Sequence, residues 1–99
     1  MQINRNIIDE KFHENLDTLA SISHEIWAHW QKYLHDQCEI MPDGSFKIPS
    51  TLVAKWTEQI NLNYDELTPQ EKKSDIEQAL KFKSVFCKMM NEILEDKSA

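Results

Sequence analysis

A single glycine and three prolines in 99 residues leave this chain short of the turn chemistry that an all-β fold needs about every ten positions. Helices are therefore the expectation before any pattern is read. Cysteine is almost as scarce. Cys38 and Cys87 stand far apart with no close-spaced partner, which argues against a disulfide framework and for reduced, packing cysteines of a cytosolic protein. No apolar run approaches the roughly 20 residues of a membrane span, and Arg5, Asp9 and Glu10 interrupt the first ten positions. Neither a signal peptide nor a membrane partner is expected, and the expected address is cytoplasmic. A glycine-rich phosphate loop is also missing, and no serine or cysteine has a base and an orienting group beside it. The chain is not expected to be an enzyme or to carry a cofactor.

What is present suits one helical domain over residues 1–99. Apolar residues make up 40% of the chain and charged residues 28%, with three Trp, four Phe and two Tyr to fill a core. A chain this long buries roughly two thirds of its unfolded surface, enough to fold without staples. The formal charge of −6 is uneven, with six acids against three bases in residues 1–38, five against two in 39–67, and six of each in 68–99. Such a surface disfavours phosphate backbones, so no direct nucleic-acid binding is expected. It favours a partner protein with a basic surface. The plainer explanation is a solvated face that keeps the chain soluble.

Hydrophobic periodicity divides the chain into helices. Ile8, Phe12 and Leu16 share one face of a short N-terminal helix. Leu19, Ile22, Ile26, Trp27, Trp30, Tyr33 and Leu34 recur at steps of three and four along a second helix of about five turns. Pro42, Asp43 and Gly44 then supply a turn; Ile40, Met41, Phe46 and Ile48 around it could pair as a tiny ribbon, but an ordered loop is the expectation. Pro49 and Ser50 introduce a third helix with Leu52, Val53, Trp56 and Ile60 on one face. Thr68-Pro69-Gln70-Glu71 has the form of a capping box with proline at the first helical position. A helix starting there is expected to run unbroken to about residue 95, carrying Ile76, Leu80, Val85, Phe86, Met89, Met90, Ile93 and Leu94. That stripe suits packing on the N-terminal helix or on another chain, including a second copy. The architecture expected is an all-α bundle of three main helices plus a short N-terminal one.

Several groups invite a chemical reading. His24 and His29 flank Glu25 in a way that resembles a zinc-protease helix, but a spacing of five puts them about 140° apart, so they cannot clamp one metal. His35 and Cys38 supply only two ligands. No metal site is expected. Trp27, Trp30, Tyr33 and Trp56 form the largest aromatic set, for which core packing is the simplest role. Trp27 and Trp30 lie about 300° apart, so one of them is expected to be partly open beside His24, suited to stacking a planar ligand or gripping a partner. Glu71, Lys72, Asp75 and Gln78 lie close together on the first turns of the last helix. Capping and ion pairing account for them, and contact with the Tyr64 loop or a ligand is the alternative.

Two stretches, HEIWA at 24–28 and YDELTPQEKKSD at 64–75, resemble the two ends of the ryanodine-receptor repeat domain, a small helical module also found in bacterial and phage proteins. The run of HEIWAHWQKYL, DGSFKIP, KWTEQI and YDELTPQEKKSDIEQA is more similar to small phage and prophage proteins. The resemblance covers about residues 24–82. It departs from the receptor repeat in lacking the aromatic-glycine segment after the first helix. It implies a non-enzymatic accessory protein of a mobile element or its bacterial host. Small acidic phage proteins often occupy a basic surface on a host protein, nucleases of defence systems among them. The receptor-repeat side of the resemblance implies instead a nucleotide-like ligand bound among His24, Trp27, Tyr64, Lys72 and Asp75. The residues singled out for a partner or ligand are therefore His24, Trp27, Trp30, Trp56, Tyr64, Glu71, Lys72 and Asp75.

Overall fold

A computed structural model describes residues 3–95. In chain order it comprises α1 (Arg5–Glu14), α2 (Leu16–Gln37), β1 (Glu39–Ile40), β2 (Phe46–Lys47), α3 (Ser50–Ile60), a 3-10 turn (Tyr64–Glu66), α4 (Pro69–Ala79), a second 3-10 turn (Leu80–Phe82) and α5 (Lys83–Glu95). The fold is broadly all-α, with one tiny antiparallel ribbon. It forms two compact units, residues 3–26 with 77–95 and Trp27–Ile76.

In the first unit, Asn4 caps α1 by accepting the Ile7 N–H at 3.0 Å. Asn15 both ends α1 and starts α2, since its N–H donates to the Phe12 carbonyl and its own carbonyl accepts from Leu19. Leu19, Ile22 and Ile26 of α2 then pack with Phe82, Val85 and Met89. Val85, Met89 and Ile93 recur every four residues and form the buried row of α5. Each such side chain contributes about 1.5–3 kcal/mol by leaving water.

The expected apolar face of α1 is the open one. Ile8, Phe12 and Leu16 are 49%, 42% and 41% exposed, while Asn15, one step round the helix from Leu16, is 2% exposed. Lys11 is mostly covered as well, and its amine reaches Glu14 at 3.2 Å. A lysine stem covers apolar surface as well as an aliphatic residue of its length, provided that the amine stays paired or wet.

The long final helix is also divided. Its backbone stays right-handed at both flanks, but Leu80–Phe82 tightens into a 3-10 turn without any proline or glycine. A 3-10 residue turns through about 120° and an α-helical one through 100°, so three of them shift the side-chain face by about 60°. The apolar row before the turn therefore does not continue into the row after it. Leu80 is 59% exposed, whereas Val85, Met89 and Ile93 are inside.

In the second unit, β1 pairs with β2 in the register Glu39↔Lys47 and Ile40↔Phe46. The ordered loop expected here is thus the tip of a ribbon. Its turn is closed by Gly44 N–H to Met41 carbonyl at 3.0 Å and Met41 N–H to Ser45 carbonyl at 2.8 Å. Pro42 presets the first turn position, and Gly44 takes φ +87, which only glycine adopts without strain. Asp43 accepts from both the N–H and the hydroxyl of Ser45, at 3.0 and 2.6 Å, and these bonds hold its carboxyl below the usual aspartate range.

Candidate functional site

Most of the residues singled out above gather in the second unit, in two groups. The first is a line of rings. His29 packs edge-on against Trp30 at 4.9 Å, Trp30 against Tyr33 at 6.0 Å, and Tyr33 tilts against Trp56 at 6.4 Å. Trp30 and Trp56 are half-buried, so this line joins α2 to α3 and serves as packing. Trp27, one turn earlier, is the open tryptophan at 59% exposure. His35 lies against Phe46 with ring centres 4.9 Å apart, which ties the ribbon to the end of α2. That histidine therefore acts here as a ring.

The second group is the corner before α4. The capping box forms as expected: Thr68 N–H donates to Glu71 Oε1 at 2.9 Å, and Glu71 N–H donates to Thr68 Oγ1 at 3.1 Å. The Thr68 N–H foremost, then the Thr68 side chain, hold the Glu71 carboxyl below its ordinary value of 4.5, helped by the charge of Lys55 and a hydrogen bond from Gln59. One turn upstream, Asn63 N–H donates to the Glu66 carboxylate at 3.0 Å and fixes the entry to the Tyr64–Glu66 turn. Lys72 then places its amine 5.6 Å from the centre of the Tyr64 ring. Such a cation–ring contact contributes about 0.5–1 kcal/mol at an exposed site.

Tyr64 and Lys72 are thus brought together, and Glu71 is committed to its cap. Asp75 is exposed on α4, and His24, also exposed, belongs to the other unit. Sequence reasoning missed Lys55 and Gln59 as neighbours of Glu71, because nothing in the spacing of α3 announces a polar partner on α4. It also missed the exposed ribbon. Ile40 is 76% exposed and Phe46, directly opposite it, 46%. Opposed residues of an antiparallel pair point to the same side, so these two form one small apolar face. Asp36, Glu39 and Asp43 lie within a few residues of it in sequence.

Among the described residues, no three of His, Cys, Asp and Glu gather to hold a metal ion. None of the described helices is long and apolar enough to cross a membrane. No family model, curated protein or solved structure matches the chain.

The capping box makes a pH prediction. Because the folded Glu71 carboxyl titrates below its unfolded value, the native state binds fewer protons than the unfolded chain in that range. Its contribution to stability is complete above about pH 4.5 and is lost as pH falls through the lowered value. Glu71→Gln should therefore flatten the fall in thermal midpoint between about pH 5 and 3. Equal slopes for variant and parent would show that the cap contributes nothing to acid sensitivity.

Proposed function

We propose that this chain is a small helical bundle acting as a non-enzymatic protein-binding module, whose partner offers an apolar pocket rimmed by basic side chains. The observation that carries this reading is the exposed Ile40–Phe46 face on an acidic chain of net charge −6. An apolar pair held in water costs free energy that a partner recovers, and the net negative charge of the chain favours a basic rim and speeds encounter. The resemblance to small phage proteins sharpens the proposal to an inhibitor of a bacterial defence protein, working by occupying a basic surface in the host cytoplasm.

The test is a paired capture from bacterial lysate at about 150 mM salt, using the wild-type chain and Ile40→Asp. The substituted side chain is exposed, so the fold should persist. The proposal expects a protein that the wild type retains, that Ile40→Asp loses by at least tenfold, and that elutes as salt rises. Identical recovery by both chains would sink it.

A second reading, a nucleotide-like ligand, rests on the half-exposed Tyr64 ring beside the Lys72 amine, with Trp27 and Asp75 as further candidates. Ligand present at 100 times its dissociation constant adds about 2.7 kcal/mol of stability, a shift that a thermal screen of nucleotides resolves. A flat screen removes this reading.

A further inference from the structure

We propose that Asp43 and Gly44 are a latent modification site, where the chain isomerises through a succinimide to isoaspartate, and that Ser45 keeps the site closed. Gly44 is the single glycine of the chain, so no other Asp or Asn is followed by one. The pairing matters because a glycine has no Cβ to obstruct its nitrogen as it approaches the preceding side chain. Both residues are exposed at the tip of the ribbon, and no atom beyond the chain neighbours lies within 4 Å of where a Cβ on Gly44 would stand. A five-membered ring has room to form there, and water has access to open it.

The reaction needs no co-reactant except water. The Gly44 nitrogen bonds to the Asp43 Cγ, and a carboxyl oxygen leaves as water, carrying away the acid proton and the one from the nitrogen. Hydrolysis of the ring at the former backbone carbonyl takes that water back and leaves the chain running through Cβ and Cγ of Asp43. Each requirement is opposed by a bond in the turn. The Gly44 N–H donates to the Met41 carbonyl at 3.0 Å, which holds its proton in place. A carboxyl loses water only as the neutral acid, and Asp43 Oδ1 accepts from both the Ser45 N–H at 3.0 Å and the Ser45 hydroxyl at 2.6 Å, which favour the carboxylate. The hydroxyl is the stronger influence of the two and the one that a side-chain substitution removes. Isomerisation adds one carbon to the connection between Met41 and Ser45, so the bonds that close the turn lose their register. On the reading of Ile40–Phe46 as a docking face, an isomerised chain has lost its partner site; the chemistry itself does not depend on that reading.

The test incubates the full chain at about 37 °C and neutral pH, then counts isoaspartate at Asp43 by tryptic digestion and electron-transfer fragmentation of segment 33–47. The same segment as a free peptide supplies the open reference. The parent should isomerise on the order of a hundredfold more slowly than the peptide, and Ser45→Ala about tenfold faster than the parent, the equivalent of one hydrogen bond to a charged group. Ser45→Thr, which keeps the hydroxyl, should stay within about twofold of the parent. Amide exchange of Gly44 on the same samples separates this lock from a general loosening of the turn. It should be slow, and equal in the parent and Ser45→Ala. A parent that isomerises as fast as the peptide overturns the proposal. So does Ser45→Ala at the parent's rate, or with an acceleration matched by faster Gly44 exchange, since the turn and not the serine then guards the bond.

Discussion

Asn15→Leu should lower the thermal midpoint by roughly 10–20 °C, a loss of about 2–3 kcal/mol for a domain of this size. Asn15 is 2% exposed and sits where α1 gives way to α2. Its amide donates to the Lys11 carbonyl at 2.7 Å and to Glu92 Oε2 at 3.2 Å, and its carbonyl oxygen accepts from the Lys88 amine at 2.8 Å. Lys88 also bonds Glu92, so four residues from the two ends of the chain close a single network. Hydrogen bonds to charged groups contribute more than neutral ones, and leucine leaves both charges without this partner. The lost bonds hold α1 to α5, so the helical signal of α1 should melt first. The Glu92 carboxyl is held below its ordinary value by Lys88 first and Asn15 second, so its stabilising contribution also fades as pH falls below about 4.5. A shift under about 5 °C at neutral pH would mean that the network is incidental.

Gln78→Met should act in the opposite direction and raise the midpoint by roughly 5–10 °C. Gln78 is 7% exposed near the end of α4, and its Oε1 has no hydrogen-bond partner among the described residues. A buried polar atom without a partner costs about 1–3 kcal/mol, and methionine keeps the length and flexibility of the side chain while removing that atom. Thermal melts of the two variants, run side by side, supply the comparison. An unchanged or lower midpoint for Gln78→Met would show that the oxygen is satisfied in solution.

These two positions mark the limits of what the sequence discloses. Thr68-Pro69-Gln70-Glu71 announces a helix start because the chemistry is local: four consecutive residues satisfy each other's backbone groups. The Pro42–Gly44 turn is legible for the same reason. Asn15 is not, because its partners Lys88 and Glu92 lie more than seventy residues away and polar residues are expected outside. Periodicity places Ile8, Phe12 and Leu16 on one side of the chain but does not say whether that side has anything to face. The packed row instead runs through Lys11 and Asn15. Val53 and Ile60 repeat the lesson on α3: both belong to the apolar face expected there, yet they are 47% and 80% exposed. The 3-10 turn at Leu80–Phe82 has no signature residue at all. Within the candidate site, the aromatic set and the Tyr64–Lys72 neighbourhood were legible from composition and spacing, whereas the exposed Ile40–Phe46 face depended on a strand register that two-residue strands barely specify.

The division into two units has a spectroscopic counterpart. All three tryptophans, Trp27, Trp30 and Trp56, fall within Trp27–Ile76, and residues 3–26 and 77–95 contain none. Intrinsic fluorescence therefore watches one unit alone, while far-ultraviolet ellipticity watches the helices of both. The cysteines divide the same way, Cys38 in one unit and Cys87 in the other, so thiol labelling gives each its own clock. The destabilisation by Asn15→Leu arises in the unit without tryptophan, and it reaches the fluorescence melt only as far as the two units unfold together. Comparing the two melting curves of that one variant measures their cooperativity directly.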